Sequence, residues 1–159
     1  MNLVKTIEQY NEDCLFFCEP IKNNVMNEGM FIRLLYSSKN IVLNGIYLLV
    51  SITDISCDKY YNKYKCNFNS ANHTDLIERL RIIEETILKK YKCSKTPSYK
   101  IYEQMKAGHI KIFNNVGQEA YCSFILKISG LWETQTHYGL TYKFVKVNQS
   151  YPLINPSVV

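Results

Sequence analysis

The chain lacks any apolar run near the ~20 residues that a membrane-spanning helix needs. Its longest such stretch, 41–52, is broken by Asn44, Gly45 and Ser51. The opening residues include Lys5, Glu8, Glu12 and Asp13, which is unlike a secretory signal. A cytoplasmic protein with no membrane contact is therefore expected. No Walker loop, HExxH, GxSxG or Rossmann glycine pattern is present, which removes the commonest signatures of nucleotide and hydrolytic chemistry. Six cysteines stand at 14, 18, 57, 66, 93 and 122. Only Cys14 and Cys18 are close, and no second pair completes a zinc-ribbon spacing, so reduced thiols are expected. His73, His109 and His137 are isolated in sequence. A Cys–His nucleophile, for example Cys122 with His109, is the remaining enzymatic alternative; the expectation is no enzyme, no cofactor and no metal. Alanine is scarce, and Trp132 is the single tryptophan.

Against these absences stand 159 residues with 47% apolar and 21% charged side chains, enough for one domain with its own core. Thirteen tyrosines favour half-buried pleated surfaces. The net charge of +5 is unevenly placed. Residues 1–57 carry four bases against six acids, and residues 58–159 carry fifteen against eight. A basic second half suits a polyanionic partner.

Residues 1–28 read as an arm or short amphipathic helix, with Ile7, Tyr10, Cys14 and Phe17 at helical spacing and Pro20 ending it. Residues 31–36 read as a strand, and 41–53 as a long strand bent at Gly45. Residues 75–92 form the clearest helix, because Leu76, Leu80, Ile83, Ile87 and Tyr91 line one face. Asp75 and Glu78 suggest a capping box, Glu85 and Lys89 a favourable pair, and Glu84 with Glu85 a solvated face. After Pro97, residues 98–107 are ambiguous; 110–113 is a short strand, 114–117 a turn, and Ala120 begins the next strand.

Residues 124–147 read as two strands and a tight connection bracketed by Gly130 and Gly139, where glycine permits a bulge or a close backbone approach. Phe124, Leu126 and Ile128 alternate with Ile125, Lys127 and Ser129; Leu140, Tyr142 and Phe144 alternate with Thr141, Lys143 and Val145. Aromatics beside lysines on a half-exposed sheet suit a stacking surface for unpaired bases, although the same aromatics would also fill a β-core. Residues 58–68, DKYYNKYKCNF, read as one strand with Lys59, Tyr61, Lys63 and Lys65 on a single face. That face matches a groove for a single strand, or else an edge guarded by lysines.

A helix after the third strand predicts a mostly β fold with one main helix: an OB-fold-like Greek-key barrel over 29–150, with the helix between strands 3 and 4 and an additional strand. An α+β sheet crossed by the helix is the competing architecture. Residues 151–159, with Pro152 and Pro156, read as a flexible tail.

The run LKISGLWETQTHYGLTYKFVKV, with the preceding helix, resembles the OB-fold single-stranded-DNA-binding proteins of large DNA viruses, phages and yeast linear killer plasmids. The resemblance implies a protein that coats and protects unwound strands during replication. It also implies Trp132, Tyr142 and Phe144 as stacking residues and Lys127 and Lys143 as phosphate contacts. Single-stranded DNA is the implied partner, with RNA as the alternative, alongside replication proteins and further copies of the chain. The chain departs from that pattern at its end, SYPLINPSVV, where many such proteins carry partner-recruiting acids. A non-catalytic subunit or scaffold of a viral-type replication or transcription complex is the alternative function.

Overall fold

The computed structural model describes residues 4–23, 29–113 and 121–147, and only the backbone at 23, 121 and 122. The strands are β1 (Leu15–Phe17), β2 (Ile21–Asn23), β3 (Gly29–Ser37), β4 (Val42–Leu43), β5 (Ile46–Thr53), β6 (Ser56–Tyr60) and β7 (Lys63–Asn67). Helix α1 (Thr74–Tyr91), strand β8 (Thr96–Ser98) and helix α2 (Lys100–Lys106) follow. Strands β9 (His109–Ile112), β10 (Tyr121–Glu133) and β11 (His137–Lys146) complete the order. The fold is mostly β with one main helix, and its main sheet curls into a half-barrel. The expected turn at 114–117, the strand start at Ala120, the Cys122 side chain and the tail at 151–159 lie outside the described residues.

Strand β10 is the axis of the main sheet. Along one edge it pairs with β11; along the other, its first part pairs with β5 and its last part with β3. β1, β2 and β4 pair with β3, while β8 adds to β11 in parallel. The register slips between Ile128 and Gly130, which accounts for the expected bulge. Both Gly130 and Gly139 lie inside strands, however, and the connection itself is Thr134–Thr136. The bend at Gly45 is also present, with φ at +101°. A Cβ there would stand 2.6 Å from the Ile128 carbonyl oxygen, so this position has room only for glycine.

Residues 58–68 are not one strand. They form a hairpin, β6 and β7, that turns at Tyr61–Asn62, and β9 adds to β7 to make a separate three-stranded sheet. Tyr61 takes the left-handed conformation, with φ at +54°, as a two-residue hairpin turn requires. The turn inverts the chain direction and so breaks the single face expected for Lys59, Tyr61, Lys63 and Lys65.

Helix α1 matches its expected bounds within a residue and buries Ile77, Leu80, Ile83, Ile87 and Leu88. Its start differs from the expected capping box. Asn69 caps a preceding short turn, Ser70–His73, while Asp75 pairs with Arg79 and Glu78 with Arg81. The Glu85–Lys89 pair is present at 2.8 Å. Glu84 does not face solvent: it is fully buried, and its carboxylate accepts from the backbone N–H groups of Ile101 and Tyr102 at the start of α2. That contact caps the start of α2, into which most of the ambiguous stretch after Pro97 folds, while Thr96–Ser98 pairs in parallel with β11. Residues 4–23 hold two single-turn helices, β1 and β2, and no α-helix. Tyr10 and Phe17 approach Tyr36 and Tyr91, so the apolar spacing there serves a sheet edge. One core unites the inner face of the main sheet, both helices and the inner face of the small sheet.

Candidate nucleic-acid interface

Cross-strand partners project to the same side of a sheet, so the register fixes which side chains share a face. On the main sheet the inward rows are Leu48, Val50 and Ile52, then Phe124, Leu126 and Ile128, then Leu140 and Phe144, all buried. Phe144 keeps only 3% of its surface exposed. Tyr142 shares that side; its hydroxyl donates to Gln104 Oε1 and to the Lys100 carbonyl, beneath α2. Burial, reinforced by the Glu84 and Glu103 carboxylates, pushes the Tyr142 phenol up to about 12. These two sequence-predicted stacking residues therefore belong to packing between β11 and its neighbours. The alternation identified their shared face but carried no sign of which face α2 would cover.

The outward face is different in kind. Lys127 stands between Tyr47 and Lys143 in direct register, with its ammonium 5.4 Å from the Tyr47 ring centroid. Farther along, Arg33 lies beside Gly130, and Phe31, Trp132 and Gly139 form one row. A Cβ at Gly139 would come within 2.7 Å of the Trp132 ring, and one at Gly130 within 2.9 Å of the Phe31 ring. Each ring thus lies over a glycine, leaving its other side toward the open face. No Asp or Glu occurs in the described outward rows of β3, β5, β10 and β11. Among the described residues, no ion pair engages Arg33, Lys127 or Lys143. Trp132, Lys127 and Lys143 are brought to one face. Phe31, Arg33 and Tyr47 join them, and they are legible only once β3 and β5 are known to flank β10.

The small sheet has a second such face. Asp58, Lys65 and Lys111 share one outward row; Tyr60 and Lys63 share the next. Lys65 and Lys111 are direct cross-strand partners, an arrangement that like charges make unfavourable. The Lys63 ammonium sits 5.3 Å from the ring centroid of Phe113, which is 63% exposed. Tyr61 at the turn is 82% exposed and meets Tyr60 edge to face. His109 projects to the same side as Lys65 and Lys111; burial first, and then those two positive charges, hold its imidazole below the usual histidine range. Lys59 falls on the opposite side with Tyr64. Of the expected face, Lys63 and Lys65 remain together, Tyr61 stands at the tip, and Lys111 arrives from β9 with Phe113 just beyond its end. No spacing rule could have joined β9 to β7 across the intervening helices.

Among the described residues, no three His, Cys, Asp or Glu side chains gather as a metal site would require. Nor is any helix among them long and apolar enough to cross a membrane. Compared with protein families, curated proteins and solved structures, the chain matches none of them.

Proposed function

We propose that the chain binds single-stranded nucleic acid, DNA foremost, and coats unwound strands during replication. The carrying observation is the outward face of β7 and β9. There Lys65 is set directly against Lys111, beside Lys63, with the exposed rings of Tyr60, Tyr61 and Phe113 around them. Lys65 also faces Asp58 on its β6 side, so the row holds two cations and one acid, and a phosphate between the lysines offsets the repulsion that remains. Exposed rings next to cations supply the stacking half of a surface that binds strands regardless of sequence. The outward face of the main sheet offers the same combination in Phe31, Trp132, Arg33, Lys127 and Lys143. In this reading the curled sheet is an OB-like barrel, supported by the placement of α1 after the β6–β7 hairpin. The hairpin's membership of a separate sheet is its departure from that plan.

The test is anisotropy of a labelled oligothymidine across salt. Affinity is expected to fall linearly on logarithmic axes, with a slope of about −0.7 for each phosphate contact. Replacing Lys63, Lys65 and Lys111 together by alanine should flatten that slope by roughly 2. An affinity indifferent both to salt and to this variant overturns the proposal.

A scaffold role in a replication or transcription complex is the second reading, favoured by one observation. Phe16 and Ile21, at the β1–β2 edge of the main sheet, are 54% and 56% exposed. A Phe16→Ser, Ile21→Ser variant that keeps oligothymidine binding but loses a replication partner would support it.

A further inference from the structure

We propose that Cys57 and Cys66 are a thiol pair that oxidises reversibly to a disulfide across the β6–β7 hairpin. The two residues are direct partners in the antiparallel register and so share the inward side of the small sheet. The two-residue turn at Tyr61–Asn62 closes on Tyr60 and Lys63, a pair that exchanges both backbone hydrogen bonds. Counting down the ladder from there, hydrogen-bonded and non-hydrogen-bonded pairs alternate, and Cys57–Cys66 is of the second kind. At such a site the Cα atoms approach to about 4.5 Å, inside the window of about 4.4–6.8 Å that a disulfide spans.

Among the described cysteines, no other pair stands directly opposite in a strand register. Cys14 and Cys18 flank the extended strand β1, where four residues cover about 13 Å. Cys93 lies after α1 and donates to Glu133. Access is unequal within the proposed pair, since Cys57 is half-buried and Cys66 fully buried. The chemistry follows that inequality, with a small external disulfide such as oxidised glutathione as the two-electron oxidant. The Cys57 thiolate attacks one of its sulfurs and expels the first glutathione thiolate. The Cys66 thiolate then attacks the Cys57 sulfur and expels the second. Two protein S–H bonds and one external S–S bond are lost; one protein S–S bond and two external thiols are formed. The staple lies one rung from the Asp58–Lys65 pair, on the opposite side of the sheet, and ties together the two strands that carry the Tyr60–Tyr61 tip.

The experiment needs no nucleic acid, so its outcome is independent of the binding proposal. The folded full chain is equilibrated with oxidised and reduced glutathione at graded ratios, quenched by alkylation in denaturant and digested with trypsin. Cleavage after Lys59, Lys63 and Lys65 separates the two cysteines, so a link appears as joined peptides that dithiothreitol releases. The expected result is that joined species, with Cys57 and Cys66 losing alkylation in parallel. In Cys57→Ser, altered at the half-buried position, Cys66 should regain full alkylation. In Cys66→Ala, Cys57 should instead accumulate a glutathione adduct. If Cys57 in the unaltered chain collects glutathione without passing it on, or if Cys66 stays protected in Cys57→Ser, the pair is not a redox couple.

Discussion

On the inner side of β11, Tyr142 and Phe144 lie against β10 and α2, while one residue away on the outer side Lys143 stands beside Lys127. Both sides of this strand pair carry residue types suited to a nucleic-acid surface, yet only one side is available to a ligand. Period-two alternation divides residues into two faces with certainty and is silent about which one a helix will cover. Here the deciding contact is remote in sequence: α2 is set in place by Glu84 of α1, which caps its first backbone N–H groups.

The largest expected effect separates these two sides. Phe144→Ala should remove roughly 3–5 kcal/mol of stability through the cavity it leaves. Lys143→Ala should change stability by no more than about 0.5 kcal/mol while weakening oligothymidine binding. Urea midpoints and anisotropy on both variants check the contrast. A stable Phe144→Ala that binds poorly would exchange the roles of the two faces.

Next in size is the buried carboxylate on which the covering of the inner side depends. Burial, against the opposing help of two backbone N–H groups, raises Glu84 to about 7. Its unfolded value lies near 4.5, so between these limits the folded chain holds a proton that the unfolded chain has released. Stability should then be greatest below pH 4.5, fall as pH rises toward 7, and level off above it. The drop should be on the order of 3 kcal/mol. Glu84→Gln should be weaker than the parent below pH 4.5, because one N–H donor loses its acceptor, and should lack that slope, so the gap closes as pH rises past 7. Urea unfolding at pH 5 and pH 8 provides the comparison. Equal pH dependence in both proteins would place the titrating group elsewhere.

Legibility from sequence follows the same division between local and remote. Helix α1, the strands around 124–147, the bend at Gly45 and the bulge near Gly130 were all written in spacing and glycine placement, which act over a few residues. The hairpin at Tyr61–Asn62 was not, because neither residue is glycine, yet Tyr61 adopts the positive φ that the turn requires. Glu84 looked solvated because its partners, Ile101 and Tyr102, come from the next helix. Lys63, Lys65 and Lys143 are exposed and Lys127 is half-buried, as suits a side chain that seldom finds a place inside. The aromatics divided between core and surface because an aromatic ring suits both.

A third effect tests the open side of the main sheet. Trp132 and Phe31 each lie over a glycine, so a base laid on either ring should contribute ~1–3 kcal/mol. Oligothymidine should quench the emission of Trp132, the only tryptophan in the chain. Phe31→Ala should weaken binding by that amount with the fold intact. Unchanged emission at saturation would confine the strand to the small sheet.

The smallest effect distinguishes the two outward faces from each other, and His109 is its reporter. The imidazole is held low by burial and then by Lys65 and Lys111, which share its side of the small sheet. Removing one charge, as in Lys65→Ala, should move the histidine upward toward its ordinary value. A phosphate resting between the two lysines should do the same without any substitution, because its negative charge offsets theirs at the ring. Main-sheet binding alone would leave the titration where it was, since none of Arg33, Lys127 and Lys143 is among the charges that act on this ring. The imidazole resonances of His109, followed by NMR across pH with and without oligothymidine, resolve the cases. An upward shift in both experiments assigns the strand to β7 and β9. A shift in Lys65→Ala without one on adding oligothymidine removes the small sheet from the binding surface and leaves the Trp132 face to account for it.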